Sequence, residues 1–255
     1  MPSRLVYAHR GGAALAPENT IPAFDRGMAE GADGLEMDVR LSRDGVPVVH
    51  HDAMLERTTD ARGPVSALTA EELAAVDAGH KFAGGAGAFP FRGQGIGVPG
   101  LEEVVHRYPG AQLIIEMKDD SEELAEAIVE ILRAARAFER TILASFHSRP
   151  VLEARRLSAD VRTGASQPEA RAALYAAWCG MSPRKPKYVG FQVPEKAGRL
   201  RIVSPRFVRA VTRAGLSVAV WTVNEEPDMR RLLDWGVSGL ITDRPDIAVP
   251  LVQEM

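Results

Sequence analysis

The sequence is poor in the features that mark several common classes of protein. A single cysteine, Cys179, excludes an intramolecular disulfide and a zinc site built from several thiolates. No stretch approaches the ~20 apolar residues of a membrane-spanning helix, and the N-terminal residues lack the apolar run of a signal peptide. The formal net charge of −3 gives no electrostatic reason to expect a nucleic-acid partner. We therefore expect a cytoplasmic protein without a stable membrane anchor.

Short runs rich in β-branched residues alternate with helical patterns along the chain, which is typical of a parallel sheet. The predicted strands cover residues 5–8, 34–41, 112–117, 141–145, 161–164, 188–192, 217–222 and 238–242. Eight strand–helix units predict a (β/α)₈ TIM barrel, for which ~250 residues is a usual length. We expect one domain over residues 1–255, with a short returning strand at 46–50 and an insertion at about 52–100 over one mouth of the barrel.

Two carboxylates share one face of the second predicted strand. Glu36 and Asp38 alternate with apolar residues, so both would face the closed interior of a barrel. A buried charge without a partner is very costly, and we therefore predict that these carboxylates hold a divalent cation. Glu116, in the third strand, is a third candidate ligand. Oxygen ligands without cysteine favour Mg²⁺ or Ca²⁺ over zinc.

Other polar residues follow the ends of predicted strands: His9, Arg10, His51 and Lys118. The carboxyl ends of barrel strands form the active site, so these side chains should converge on one mouth. Lys118 beside a metal-bound carboxylate, together with Arg10, would bind a phosphate group. Imidazole titrates near neutral pH, which suits His9 and His51 as a pair of proton donor and acceptor.

The three tryptophans lead to different expectations. Trp178 and Trp235 are predicted to lie on helix faces that pack in the core. Trp221 ends the seventh predicted strand, where it could either pack inside the barrel or form a wall of the substrate site.

The motifs around the site residues resemble the glycerophosphodiester phosphodiesterase family. They are Ala8-His9-Arg10-Gly11-Gly12, Pro17-Glu18-Asn19-Thr20, Glu36-Met37-Asp38, His51-Asp52, Leu55-Glu56-Arg57-Thr58-Thr59, Ile115-Glu116-Met117-Lys118, Trp221-Thr222-Val223-Asn224 and Ile241-Thr242-Asp243-Arg244-Pro245. The resemblance runs in register over residues 5–246, and residues 167–201 match least well.

The resemblance implies a barrel enzyme that hydrolyses glycerophosphodiesters, such as deacylated phospholipid head groups, to sn-glycerol 3-phosphate and an alcohol. It implies a set of site residues with three roles: Glu36, Asp38 and Glu116 as metal ligands, His9 and His51 as the acid–base pair, and Arg10 and Lys118 on the phosphate. It also suggests that the glycerol 2-hydroxyl attacks first and forms a cyclic phosphate, while direct attack by water is the alternative. Pro17, Asn19 and Thr20 would shape the first loop and its helix cap.

Two other functions remain open from the sequence. A lysophospholipase D on the same scaffold would need an apolar groove near the insertion, for which Phe82, Phe89 and Phe91 are candidates. A non-catalytic phosphodiester-binding barrel should lack a histidine or a carboxylate of the motifs, and none is missing. The leaving alcohol, the physiological metal and the assignment of acid and base to the two histidines stay open.

Overall fold

The computed structural model describes residues 4–84, 87–184 and 186–255. The strands are β1 (Leu5–His9), β2 (Gly34–Leu41), β3 (Pro47–Val49), β4 (Gln112–Met117), β5 (Thr141–Ala144), β6 (Gly190–Pro194), β7 (Lys196–Ala197), β8 (Leu200–Arg201), β9 (Ser217–Trp221) and β10 (Gly239–Thr242). Seven of them pair in parallel in the order β5-β4-β2-β1-β10-β9-β6, and β3 pairs antiparallel with β2. This arrangement confirms the predicted parallel α/β barrel.

The fifth predicted strand, at residues 161–164, is reduced to two bridge positions. Thr163 pairs with Leu143 of β5, and Gly164 pairs with Gly190 of β6. The segment is too short to form a regular ladder, because Ser166 already caps the next helix. It nevertheless closes the barrel, since Gly164 N–H donates to Leu143 O and Ala165 N–H donates to Gly190 O, both at 2.9 Å.

The helices are α1 (Ile21–Ala29), α2 (Ala70–Ala74), α3 (Leu101–Arg107), α4 (Glu122–Ala134), α5 (Ser148–Leu157), α6 (Gln167–Trp178), α7 (Pro205–Thr212), α8 (Glu226–Asp234) and α9 (Pro245–Glu254). Thr20 caps α1 by accepting the Ala23 N–H, and Ser121 caps α4 by accepting the Leu124 N–H. Within the described residues, no helix combines the length and the apolar character needed to cross a bilayer.

The alternation of β2 divides its side chains between two environments. Leu35, Met37 and Val39 have no exposed surface and pack in the main core between strands and helices. Glu36 and Asp38 point to the other side, into the barrel, where they are also buried. A carboxylate pair is thus held in the interior by the same two-residue period that places the apolar side chains against the helices.

The insertion packs around a small apolar core, in which Val48 of β3 joins Leu55, Val65, Leu73, Ala78 and Val98. A capping box starts α2, in which Thr69 accepts the Glu72 N–H and Glu72 accepts the Thr69 N–H. The beginning of the insertion, from Asp52 to Met54, lines a cavity at the mouth of the barrel. Of the two tryptophans expected in the core, Trp235 packs against it, whereas Trp178 ends α6 with 45% of its surface exposed. The prediction for Trp178 was wrong because the buried face of α6 is formed by Ala173, Leu174 and Ala177.

Candidate active site

Three carboxylates meet inside the barrel. Glu36 and Asp38 are on β2, and Glu116 lies directly beside Asp38 in the register of the neighbouring strand β4. Each of the three contributes one oxygen to a group whose members all lie within 4.8 Å of one another. Glu36 is 5% exposed and Asp38 is 1% exposed. The strand pairing, rather than any flexible loop, brings these carboxylates together.

The electrostatics of this cluster fit a bound cation. Burial raises the pKa of Glu36, and the Asp38 carboxylate raises it further. Burial also opposes ionisation of Asp38, but the ammonium of Lys118 and the guanidinium of Arg10 outweigh it and lower the pKa of Asp38. A site made of oxygen donors, two of them buried, suits a hard divalent ion such as Mg²⁺ or Ca²⁺.

Two cationic side chains border the carboxylates. Lys118 Nζ lies 2.9 Å from Asp38 Oδ1 and 2.8 Å from Glu116 Oε1. Arg10 Nη1 donates to Glu18 Oε1 at 2.8 Å. Arg10 Nε lies 3.0 Å from Asp38 Oδ2, but its N–H is not aligned with that oxygen, so Nε is a buried donor without a hydrogen-bond partner among the described residues. The site therefore contains a guanidinium with unused hydrogen-bonding capacity.

His9 ends β1 and is held by the last strand of the barrel. Its Nδ1 lies 2.6 Å from Asp243 Oδ1, and its Nε2 lies 3.8 Å from Glu36 Oε2. Asn224 Nδ2 donates to the second oxygen of Asp243 at 2.8 Å. Burial lowers the pKa of His9, but the carboxylates of Glu36 and Asp243 outweigh it, so that the pKa of His9 lies above its usual value.

His51 follows β3 and has a comparable carboxylate partner. Its Nδ1 lies 2.6 Å from Asp52 Oδ1, and its backbone carbonyl accepts a hydrogen bond from Arg40 Nε at 2.9 Å. Arg57 Nε donates to Asp52 Oδ2 at 2.5 Å, and its other nitrogens donate to Glu18 at 2.7 Å. The guanidinium of Arg57 thus offsets the charge of the carboxylate beside His51, whereas the carboxylate beside His9 has a neutral amide partner.

Two cavities meet at these residues, and both are lined by His51, Glu116, Lys118 and Phe146. One, of about 470 Å³, has a largely polar lining that includes Arg40, Asp52 and His147. The other, of about 540 Å³, contains His9, Arg10 and Glu36 on one side. Its other side is mostly apolar and is formed by Ala170, Leu174, Val193, Pro194, Leu200 and Ile202.

Trp221 lines the larger cavity, where its ring packs edge-on against Phe146 with the centroids 5.9 Å apart. It is also in contact with the small cluster of apolar side chains inside the barrel, Tyr7, Ile114, Ala219 and Ile241. Trp221 therefore packs inside the barrel and also lines the larger cavity; that it forms a wall of the substrate site stays a prediction.

All eight residues singled out from the sequence border this one region, and the structure adds several that the sequence did not identify. Asp243, Asn224, Asp52 and Arg40 hold the two histidines, as described above. Asn19, expected only to shape a loop, donates from Nδ2 to Asp38 Oδ2 at 2.8 Å. Its backbone φ of 58° lies in the left-handed region that asparagine tolerates. Asp52 follows His51 directly, and Asp243 follows the last strand, which in a closed barrel is next to the first; both signals were present in the sequence.

Comparison with known proteins places this geometry in a family. The chain matches the sequence model of the glycerophosphoryl diester phosphodiesterase family over residues 9–247. A glycerophosphodiester phosphodiesterase of Caldanaerobacter subterraneus is 32% identical over 259 residues, and the alignment covers 98% of each chain.

Solved structures share the fold. The glycerophosphoryl diester phosphodiesterase domain of a Mycobacterium tuberculosis protein superposes with a TM-score of 0.85 at 23% identity, covering 99% of this chain and 100% of that one. An Oleispira antarctica phosphodiesterase, solved in complex with the product sn-glycerol-3-phosphate, superposes with a TM-score of 0.76 at 25% identity, covering 98% and 96%. With a match to the family's sequence model over nearly its whole length, this chain belongs to the glycerophosphoryl diester phosphodiesterase family.

Proposed function

We propose that this protein hydrolyses glycerophosphodiesters to sn-glycerol 3-phosphate and an alcohol. The observation that carries the proposal is the position of His9 and His51 beside three carboxylates and two cations at one mouth of the barrel. The Oleispira antarctica phosphodiesterase was solved in complex with its product sn-glycerol-3-phosphate, which supports the same reaction here.

In this proposal Glu36, Asp38 and Glu116 would hold a divalent metal ion, Mg²⁺ or Ca²⁺. When bound, such an ion stabilises negative charge that develops on a phosphate oxygen. The Lys118 ammonium and the Arg10 guanidinium, which both line the larger cavity, would bind and orient the phosphate from the protein side. A rigid array of donors is effective because it is already in place when charge builds up in the transition state.

The two histidines would move the protons. With a carboxylate on Nδ1, each imidazole directs Nε2 toward the reaction. The carboxylates of Glu36 and Asp243 raise the pKa of His9 above its usual value, which favours the protonated form of this imidazole. We therefore assign His9 as the donor to the leaving alkoxide and His51 as the acceptor of the nucleophile's proton. The nucleophile is either the glycerol 2-hydroxyl or water.

Activity is tested by incubating the protein with glycerophosphocholine and measuring glycerol 3-phosphate with a coupled dehydrogenase. General acid–base catalysis contributes ~10²–10⁴-fold, so His9→Ala and His51→Ala should each lower kcat by at least ~100-fold. His106→Ala is a matched control, because His106 lies on α3 and, among the described residues, its one hydrogen bond is to the backbone oxygen of Glu102. A chelator should abolish turnover, and Mg²⁺ or Ca²⁺ should restore it. Normal rates in either histidine variant, or indifference to chelation, would contradict the corresponding part of the proposal.

The assignment of donor and acceptor has its own test. A substrate whose leaving group is 4-nitrophenolate needs little help from a general acid. On the nitrophenyl ester of glycerophosphate, the loss of kcat in His9→Ala should therefore be smaller than on glycerophosphocholine. The loss of kcat in His51→Ala should be the same on both substrates. The opposite pattern would exchange the two roles.

The apolar side of the larger cavity favours a second candidate, a lysophospholipase D that acts on single-chain lipids. Its lining comes from α6 and the β7–β8 hairpin, with Leu174 and Leu200 among the residues, and not from the phenylalanines of the insertion, of which Phe82 and Phe91 pack on each other. Rates on lysophosphatidylcholine and glycerophosphocholine separate the two candidates. A non-catalytic barrel would turn over neither.

A further inference from the structure

Residues 170–215 differ sharply in charge from the rest of the chain. This segment contains ten lysines and arginines and a single acidic residue, Glu195, although the whole chain has 31 basic and 34 acidic residues. The small net charge of the protein therefore conceals a basic segment on an otherwise acidic chain. In the described part of the segment every lysine and arginine is exposed, and only Arg201 lies within ion-pair distance of an acid.

Three of these cations belong to elements that line the larger cavity. Arg171 lines it from α6, and Lys196 and Arg199 lie on the β7–β8 hairpin, whose Ala197 and Leu200 line the same cavity. Arg206, in the first turn of α7, reaches back to the end of α6, where its Nη2 lies 3.8 Å from the position that a Cβ of Gly180 would take. We call this surface the basic face and define it by Arg171, Tyr175, Trp178, Lys196, Arg199 and Arg206.

Large apolar side chains are exposed among these cations. Tyr175 and Trp178 follow Arg171 by four and seven residues, which places all three on one side of α6. Tyr175 is 54% exposed and Trp178 is 45% exposed, and their rings pack edge-on with centroids 5.3 Å apart. Leu200, on the hairpin that lines the same cavity, is 42% exposed. Exposed apolar side chains that form a contiguous patch mark sites that bind proteins or membranes.

The combination of groups indicates what would bind. Tryptophan and tyrosine are enriched at the level of lipid head groups, and clustered lysines and arginines are attracted to anionic lipids. Nucleic-acid phosphates would account for the cations but not for an exposed leucine beside the opening of an apolar cavity. We propose that the basic face binds the surface of an anionic lipid bilayer. Binding itself does not depend on the proposed catalytic function; it would also bring a single-chain lipid to the cavity mouth.

The proposal is tested with the full chain and with vesicles of phosphatidylcholine, pure or mixed equally with phosphatidylglycerol. In a flotation assay the protein should rise with the mixed vesicles and not with the pure ones. Binding should weaken as salt is raised, because the screening length falls from ~10 Å at ~0.1 M to ~3 Å at ~1 M. Equal binding to neutral vesicles, or none to anionic ones, would overturn the proposal. Binding of duplex DNA without binding of vesicles would do the same.

Variants locate the binding surface. Arg199→Glu with Arg206→Glu should lower partitioning onto mixed vesicles by at least ~25-fold, since each basic residue near an anionic surface contributes about fivefold. The control, Lys81→Glu with Arg133→Glu, makes the same change in net charge at exposed residues elsewhere and should bind nearly as the wild type does. Tyr175→Ser with Trp178→Ser should also weaken binding. An equal loss in the control pair would overturn the proposal.

Two further measurements keep the result interpretable. Circular dichroism should show unchanged folding, because every substituted residue is exposed. Hydrolysis of soluble glycerophosphocholine should be unchanged in Arg199→Glu with Arg206→Glu. If neither the wild type nor any variant hydrolyses the substrate, the proposed function is wrong. The vesicle assay would still decide whether the basic face binds an anionic bilayer.

Discussion

Replacing Asp243 with asparagine tests how the protein controls the proton on His9. Asp243 accepts two hydrogen bonds, from His9 Nδ1 at 2.6 Å and from Asn224 Nδ2 at 2.8 Å. Asn224 cannot turn its amide over, because its Oδ1 already accepts the backbone N–H of Asp243 at 2.9 Å and the hydroxyl of Thr242 at 3.2 Å. An asparagine at position 243 has one acceptor oxygen and one NH₂ group, so it can satisfy only one of its two donors.

The expected loss follows from this geometry. A hydrogen bond to a charged group is worth ~1.5–3 kcal/mol, which corresponds to roughly 10- to 100-fold in rate if the interaction is lost in the transition state. The Asp243 carboxylate also contributes to raising the pKa of His9, so its removal lowers that pKa. A group with a raised pKa keeps its proton to higher pH. The high-pH limb of the activity profile should therefore move to lower pH in Asp243→Asn.

The measurement is kcat on glycerophosphocholine as a function of pH, with metal at saturation. Asp246→Asn is the matched control, because Asp246 pairs with Arg244 at 2.8 Å and does not contact either histidine. We expect the control to keep the wild-type profile. An unchanged kcat and pH profile in Asp243→Asn would refute the role of this carboxylate, and so would a loss that simply followed a lower melting temperature.

Two other predictions concern stability. Lys118→Met removes the ammonium that bridges two carboxylates, so it should destabilise the metal-free protein by ~3–5 kcal/mol. The rise in Tm on adding Mg²⁺ or Ca²⁺ should be larger in this variant than in the wild type. An equal rise in the two proteins would contradict this prediction. Gly34→Ala would place a Cβ 2.3 Å from the backbone oxygen of Gln112 in the next strand and should cost ~1–3 kcal/mol or more in urea unfolding. Gly110→Ala, with nothing within 4 Å of its Cβ position, should change stability by less than ~0.5 kcal/mol. Equal midpoints for the two alanine variants would refute the packing argument.

The interior carboxylates could be anticipated from the sequence because one strand carries the information. In β2 the two-residue period separates Leu35, Met37 and Val39 from Glu36 and Asp38, and the structure has both sets where the period places them. The pairing of His9 with Asp243 was harder to predict from the sequence, since 234 residues separate them. They meet only because the barrel closes and β1 pairs with β10. Closure is a property of the whole chain and leaves no local pattern.

Other features were not predicted, because short sequence patterns and whole-chain averages do not show how the residues pack or where the charges lie. Residues 161–164 were predicted to form a full strand, but only Thr163 and Gly164 form bridges to neighbouring strands. Trp178 resembled a core residue by type, yet α6 has a narrow buried face made mostly of alanine. The whole-chain charge gave no sign of a basic surface, because an excess of acidic residues outside residues 170–215 offsets the ten arginines and lysines of that segment. The extent of the single predicted domain over residues 1–255 stays a prediction.

The charges around the barrel mouth explain why a metal would matter for binding as well as for turnover. When all are ionised, Glu36, Asp38 and Glu116 carry one more charge than Lys118 and Arg10 offset, so in that state the cluster would repel a phosphodiester. A bound dication would leave one net positive charge, which a phosphodiester monoanion would neutralise. If the proposed metal site is correct, we therefore expect the cluster to accept the substrate only after a cation is bound. Affinity for the anionic substrate, and not the rate of bond cleavage alone, should depend on the ion.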